Sequence, residues 1–133
     1  MTLIIGDTSA DCFAYDYSPD GGEVANRRVF GDVSDVQGHP DGATLDSEGG
    51  LWCALFAGGQ LARFTVDGLD RTMPVPVPNP CDVTFGGPDL DRLYVVSVGP
   101  SMGTGEAGLE GALLVIDGLG VKGRTEPCFA LAG

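Results

Sequence analysis

Apolar positions in this chain come in short runs that alternate with polar ones and never sustain a helical period. Leu61-Ala62-Arg63-Phe64-Thr65-Val66 is representative. Side chains of that spacing fall on opposite faces of an extended strand. On this pattern, strands are predicted at 2–6, 12–17, 27–30, 43–46, 51–56, 60–65, 71–74, 82–85, 92–98, 112–116 and 127–130. Asp-Gly pairs at Asp20-Gly21, Asp67-Gly68 and Asp117-Gly118 follow apolar runs, where hairpins need residues that tolerate tight turns. The fold class predicted is all-β.

The strands repeat as a group. Pro40-Asp41-Gly42-Ala43-Thr44-Leu45 lines up with Pro80-Cys81-Asp82-Val83-Thr84-Phe85, forty residues later. Each is followed by a turn and a Leu-aromatic pair, Leu51-Trp52 or Leu93-Tyr94, and later by an Asp-Gly. The second half of the same unit opens the chain, from Leu3 to Gly21. A four-stranded unit of roughly forty residues is the signature of a propeller blade. The count is about two and a half four-stranded blades, the first without its innermost strand. A ring closes with about four blades or more. The chain is therefore expected to be a single partial β-propeller domain over residues 1–133, with an upstream half missing and with strand edges free to self-associate.

Composition narrows the class. Twenty-two Gly and nine Pro in 133 residues fit many tight turns, and 43% hydrophobic residues fit a packed core. A net charge of −12 would repel a phosphate backbone, so nucleic acid is not an expected partner. No apolar run reaches membrane-spanning length, and Met1 to Asp7 lacks the form of a signal peptide, so a cytoplasmic location is the default expectation. Cys12, Cys53, Cys81 and Cys128 have no zinc-ribbon or redox-motif spacing. They are read as reduced structural thiols, with two disulfides as the alternative.

A longer ordered set of motifs carries a family resemblance. It comprises Asn26-Arg27-Arg28-Val29-Phe30, Gly38-His39-Pro40-Asp41-Gly42, Asp46-Ser47-Glu48-Gly49-Gly50-Leu51-Trp52-Cys53-Ala54 and Gly58-Gly59-Gln60-Leu61-Ala62-Arg63-Phe64. Phe85-Gly86-Gly87-Pro88-Asp89, Leu93-Tyr94-Val95 and Gly118-Leu119-Gly120-Val121-Lys122-Gly123 complete it. In this order the chain resembles the C-terminal half of the regucalcin/gluconolactonase (senescence marker protein) family. The resemblance implies a six-bladed propeller with one divalent cation near its central tunnel, and hydrolysis of sugar lactones. It also implies three cation ligands: a glutamate near the N-terminus, an asparagine in mid-chain, and the aspartate of the Pro-Asp-Gly motif. Only the last has a counterpart here, Asp41.

Asp41 is thus the one candidate for both a metal ligand and a catalytic group. Its carboxylate suits Ca²⁺, Mg²⁺ or Mn²⁺, and Zn²⁺ accepts it too, so the ion's identity stays open. Asp-Gly occurs four times in the chain, and the other three look like ordinary turns, so spacing alone does not single Asp41 out. Asp82, its counterpart in the next repeat, is shifted by one position and is expected to belong to the loop leading into its strand rather than to the metal. His39 is expected to be solvated, and Trp52 and Tyr94 to pack between blades. The Gly-rich stretch from Met102 to Gly108 lacks the lysine of a phosphate-binding loop. Ser47 and Ser97 have no histidine partner in the sequence. Three readings follow: a metal-dependent lactonase or esterase that is truncated, a non-catalytic calcium-binding propeller, and an inactive self-associating fragment.

Overall fold

The computed structural model describes residues 1–99 and 108–126. These form ten strands: β1 (Thr2–Gly6), β2 (Cys12–Ser18), β3 (Glu23–Gly31), β4 (His39–Leu45), β5 (Leu51–Phe56), β6 (Gln60–Thr65), β7 (Gly68–Pro74), β8 (Pro80–Gly86), β9 (Arg92–Ser97) and β10 (Leu113–Ile116). They pair antiparallel, each with its sequence neighbour, into three sheets ordered β1-β2-β3, β4-β5-β6-β7 and β8-β9-β10. No helix occurs among the described residues. These are the successive meander blades of a β-propeller. The predicted strand at 127–130, Cys128, and the stretch from Met102 to residue 107 lie outside the described residues.

Four strands, β3, β4, β7 and β8, begin two to four residues earlier than the sequence expectation, each in a pairing with a register shift, and β3 and β4 differ most. β3 begins at Glu23 rather than at 27. Its register against β2 shifts between Ala14 and Asp16, where Asn26 takes a positive φ of 53°. The Asn26 side chain there donates to Asp16 at 2.8 Å. An irregular residue breaks the alternation, so the pattern reads as a strand end. β4 begins at His39 rather than at 43. Pro40 and Gly42 are poor strand formers, yet His39 pairs with Phe56 and Pro40 with Leu55 before the register slips.

The middle sheet is the core of the molecule. Along β5, Leu51, Cys53 and Leu55 point to the first sheet, while Trp52 and Ala54 point to the third. Neighbouring β6 repeats the division, with Ala62 and Phe64 on one face and Leu61 on the other. A blade sandwiched between blades buries both faces, which explains the unbroken apolar run at 51–55. On the third-sheet side, Trp52 meets Phe85 edge to face, with ring centroids 6.4 Å apart and planes at 84°. Trp52 is therefore inter-blade packing, as expected; Tyr94 is half-buried and pairs with Thr84 of its own sheet.

Candidate functional site at the β4 bulge

Between the β4 pairs Pro40↔Leu55 and Ala43↔Cys53, two residues of β4 oppose one of β5. Those two residues are Asp41 and Gly42. Asp41 therefore sits within an inner strand, on a bulge, rather than just ahead of the strand. A bulge bends the strand and re-aims the side chain it carries. The next repeat does the same, with a register shift between Pro80 and Asp82 of β8. Asp82 accordingly lies on β8, inside the strand predicted at 82–85 and next to the bulge.

Three sheets converge at this point. From the first, a side chain at Gly6 would stand 3.2 Å from the Asp41 carbonyl oxygen. From the middle sheet, Cys53 lies beside Asp41: the Cys12 thiol, and then the Asp41 backbone N–H, hold the Cys53 thiol below its usual pKa. From the third, the Asp82 carboxylate lies against Gly42, and a Cβ at position 42 would come within 2.6 Å of the Asp82 Cα. Only glycine leaves room for β8 to approach this closely. Gly42 thereby sets the two carboxylate-bearing bulges side by side.

The electrostatics at the junction are unbalanced. Partial burial, and then the negative charge of Asp82, push the Asp41 carboxyl above the usual carboxylate range. Burial, with Asp41 and Asp82 nearby, also pushes the Cys81 thiol up. None of the seven ion pairs among the described residues involves Asp41 or Asp82. Among the described residues, Asp82 Oδ1 accepts only the adjacent Val83 N–H, at 2.8 Å. The donors are hard oxygens of the kind that divalent cations take. They do not amount to a full shell: no group of three or more His, Cys, Asp or Glu side chains poised for a metal occurs among the described residues.

A groove of about 660 Å³ opens on the same inner edge. Leu3 and Ile4 of β1, Ala43 and Thr44 of β4, and Arg124 and Glu126 line it. Across it Thr44 Oγ1 donates to Glu126 Oε1 at 3.4 Å. Its β1 wall has no strand partner on that side among the described residues.

The remaining sequence candidates fall elsewhere. His39 is exposed at the start of β4. Ser47 donates its backbone N–H to the Lys122 carbonyl at 2.7 Å, and the Ser97 hydroxyl accepts the Gly111 N–H at 3.0 Å. Sequence reasoning missed a second aspartate of β4, Asp46, just past the strand's end. It is fully buried. Its Oδ1 accepts the backbone N–H groups of Glu48 (3.0 Å) and Gly50 (2.8 Å). Its Oδ2 accepts Trp52 Nε1 (3.0 Å) and Arg63 Nε (2.7 Å). Burial alone would raise its pKa, but Arg63, Gly50 and Trp52 outweigh this and hold the carboxyl below the usual range. Arg63 also reaches Glu48 at 3.0 Å and Asp70 at 3.1 Å. The signal was present in the Asp-x-x-Gly-x-Leu-Trp motif: its aspartate closes the turn and pins the tryptophan.

The three meander sheets and their bulged inner strands define a segment of a β-propeller. The SMP-30/Gluconolactonase/LRE-like region matches residues 1–99, and the chain belongs to that family. It is 39% identical over 97 residues to pentonolactonase XacC of Haloferax volcanii, covering 72% of this chain and 33% of that one. It is 34% identical over 122 residues to regucalcin of Xenopus laevis, covering 88% and 41%. The structure of a calcium-binding regucalcin from Agrobacterium tumefaciens superposes with a TM-score of 0.79 at 26% identity, covering 98% of this chain and 46% of that one. The chain thus spans between a third and a half of the length of these relatives.

Proposed function

We propose that this chain is the C-terminal part of a divalent-metal-dependent sugar-lactone hydrolase, and that Asp41 is the cation ligand it contributes. The observation that carries this is the Asp41–Gly42 bulge, which packs Gly42 on Asp82 and leaves the Asp41 carboxylate within reach of the Asp82 charge, with no ion-pair partner for either among the described residues. A divalent cation would relieve that repulsion. Lactonases and a calcium-binding protein among the relatives support the reaction class and the metal. Bound there, the ion would polarise a lactone carbonyl and acidify a water. Asp41 would hold the cation or accept the water's proton, and the bulge fixes its direction for either task. One or two carboxylates do not fill the six to eight oxygen positions that Ca²⁺ takes, for example. The remaining ligands would come from a further segment, and the chain alone is expected to bind the ion weakly.

Asp41→Ala tests the reading, with lactone hydrolysis and cation-dependent melting as readouts, in this chain and in a form extended upstream. Loss of both in the extended form supports the hydrolase. Loss of cation-dependent stabilisation, with no turnover in the parent protein, supports a calcium-binding propeller. If neither readout responds, a self-associating segment is the better reading. Among the described residues, the bare edge of β1 favours this last alternative, as do the exposed Leu113 (61%) and Val115 (46%) on β10, an edge strand of its sheet.

A further inference from the structure

Cys12 opens β2 of the first sheet and Cys53 lies in β5 of the second. Both are fully buried, 41 positions apart, and the Cys12 thiol donates to the Cys53 sulfur at 3.9 Å. The Cys53 thiol in turn donates to the Ala54 carbonyl at 3.4 Å. The two sulfurs sit in the apolar cluster that joins the sheets, beside Leu51, Leu55 and Phe64. We propose that Cys12 and Cys53 are a disulfide-forming pair that staples the first blade to the second.

A disulfide needs an S–S separation of about 2.05 Å, so the sulfurs must close by roughly 2 Å. Rotation about the two Cα–Cβ bonds moves sulfurs by that order. The chemistry is thiol–disulfide exchange with a low-molecular-weight disulfide, such as oxidised glutathione. One cysteine attacks the reagent, forming a mixed disulfide and releasing one thiol. The second cysteine displaces the other thiol and closes the Cys12–Cys53 bond. Each cysteine loses its S–H proton, the pair is oxidised by two electrons, and the reagent is reduced to two thiols. Reagent reaches the buried pair when the first sheet opens from the second. That interface is narrower than the one between the second and third sheets, where β8 packs on both β4 and β5. Oxidation is accordingly slow in the folded chain and faster in mild denaturant. The pair is distinct from Cys81, whose sulfur faces the Val96 carbonyl at 3.5 Å in the third sheet. The inference does not depend on Asp41 binding a cation.

The test is to incubate the chain with oxidised glutathione, block free thiols under denaturing conditions, and map linkages by non-reducing peptide mass spectrometry. The expected product is a monomer with one Cys12–Cys53 link and two fewer free thiols. It should melt about 10 °C higher than the reduced chain and revert with dithiothreitol. Cys81→Ser should give the same link. The proposal is overturned if Cys12 and Cys53 are recovered alkylated, carry glutathione as the end product, or are joined to Cys81 or Cys128.

Discussion

Asp41 and Asp46 lie five positions apart at the two ends of one short strand, yet the structure treats them in opposite ways. Asp46 has no exposure, accepts four hydrogen bonds and pairs with Arg63. Asp41 is exposed, lacks an ion-pair partner among the described residues, and feels the negative charge of Asp82. One group is satisfied by the fold; the other is left with charge that the fold does not neutralise. A buried, fully bonded carboxylate is a structural part, because its lone pairs are already committed. A carboxylate held by a bulge against a like charge is available to a ligand. On the proposed reading, the difference separates a structural carboxylate from a ligand-binding one within a few residues.

The comparison breaks most readily at Asp46. Asp46→Ala takes away the buried partner of Arg63, which is 7% exposed and keeps only Glu48 and Asp70 nearer the surface, and leaves Trp52 Nε1 without its acceptor. Removing one partner of a buried ion pair typically costs about 3–5 kcal/mol. Chemical denaturation should show a loss of that size, with no change in the cation response of whatever folded chain remains. Arg63→Met should be milder than Asp46→Ala. It removes the charge but keeps an apolar stem over Gly50, where a Cβ would stand 2.6 Å from the guanidinium. Equal losses would mean that the ion pair, rather than the turn and indole bonds, is the whole of Asp46's role.

Gly42→Ala acts between the two carboxylates and should have the next largest effect. The added methyl would have to displace β8 or Asp82. Overpacking of this kind costs about 1–3 kcal/mol. It should also weaken any cation-dependent rise in Tm, because it pushes the two bulges apart. A variant as stable as the parent would show that the close approach of β4 and β8 is not a fixed feature.

Much of this was legible in the sequence, for physical reasons that differ along the chain. The strand period and the forty-residue repeat gave the blades, because burial on alternate faces writes itself into residue order. The inner strands were read short, because Pro40 and Gly42 look like punctuation, whereas Pro40 is paired with Leu55 and Gly42 belongs to a bulge inside the strand. The start of β8 was read two residues late for the same reason. That Asp82 meets Gly42 could not be read, since it depends on how two blades pack rather than on either repeat alone. Asp46 was visible only as part of a motif. Its role appears once Arg63, seventeen positions on, folds back over the turn.

The smallest expected effect is also the most diagnostic: the pH dependence of Asp41→Asn. Asp41's pKa is raised in the folded chain, so ionising it disfavours folding. That penalty is absent below the unfolded pKa of about 4, develops as pH rises through the folded value, and persists above it. Asp41→Asn removes the penalty, so its Tm should match the parent's near pH 3 and lie slightly above it at neutral pH. Asp46 has the opposite sign. Its pKa is lowered, so its stabilisation is complete above about pH 4 and disappears as pH falls through the folded value. Millimolar Ca²⁺ sharpens the contrast by neutralising Asp41 in the parent. The ion should raise the parent's Tm and leave that of Asp41→Asn unmoved. Parallel pH–Tm curves for parent and variant would show that Asp82 and burial place no load on Asp41. The asymmetry between the two ends of β4 would then be one of exposure alone.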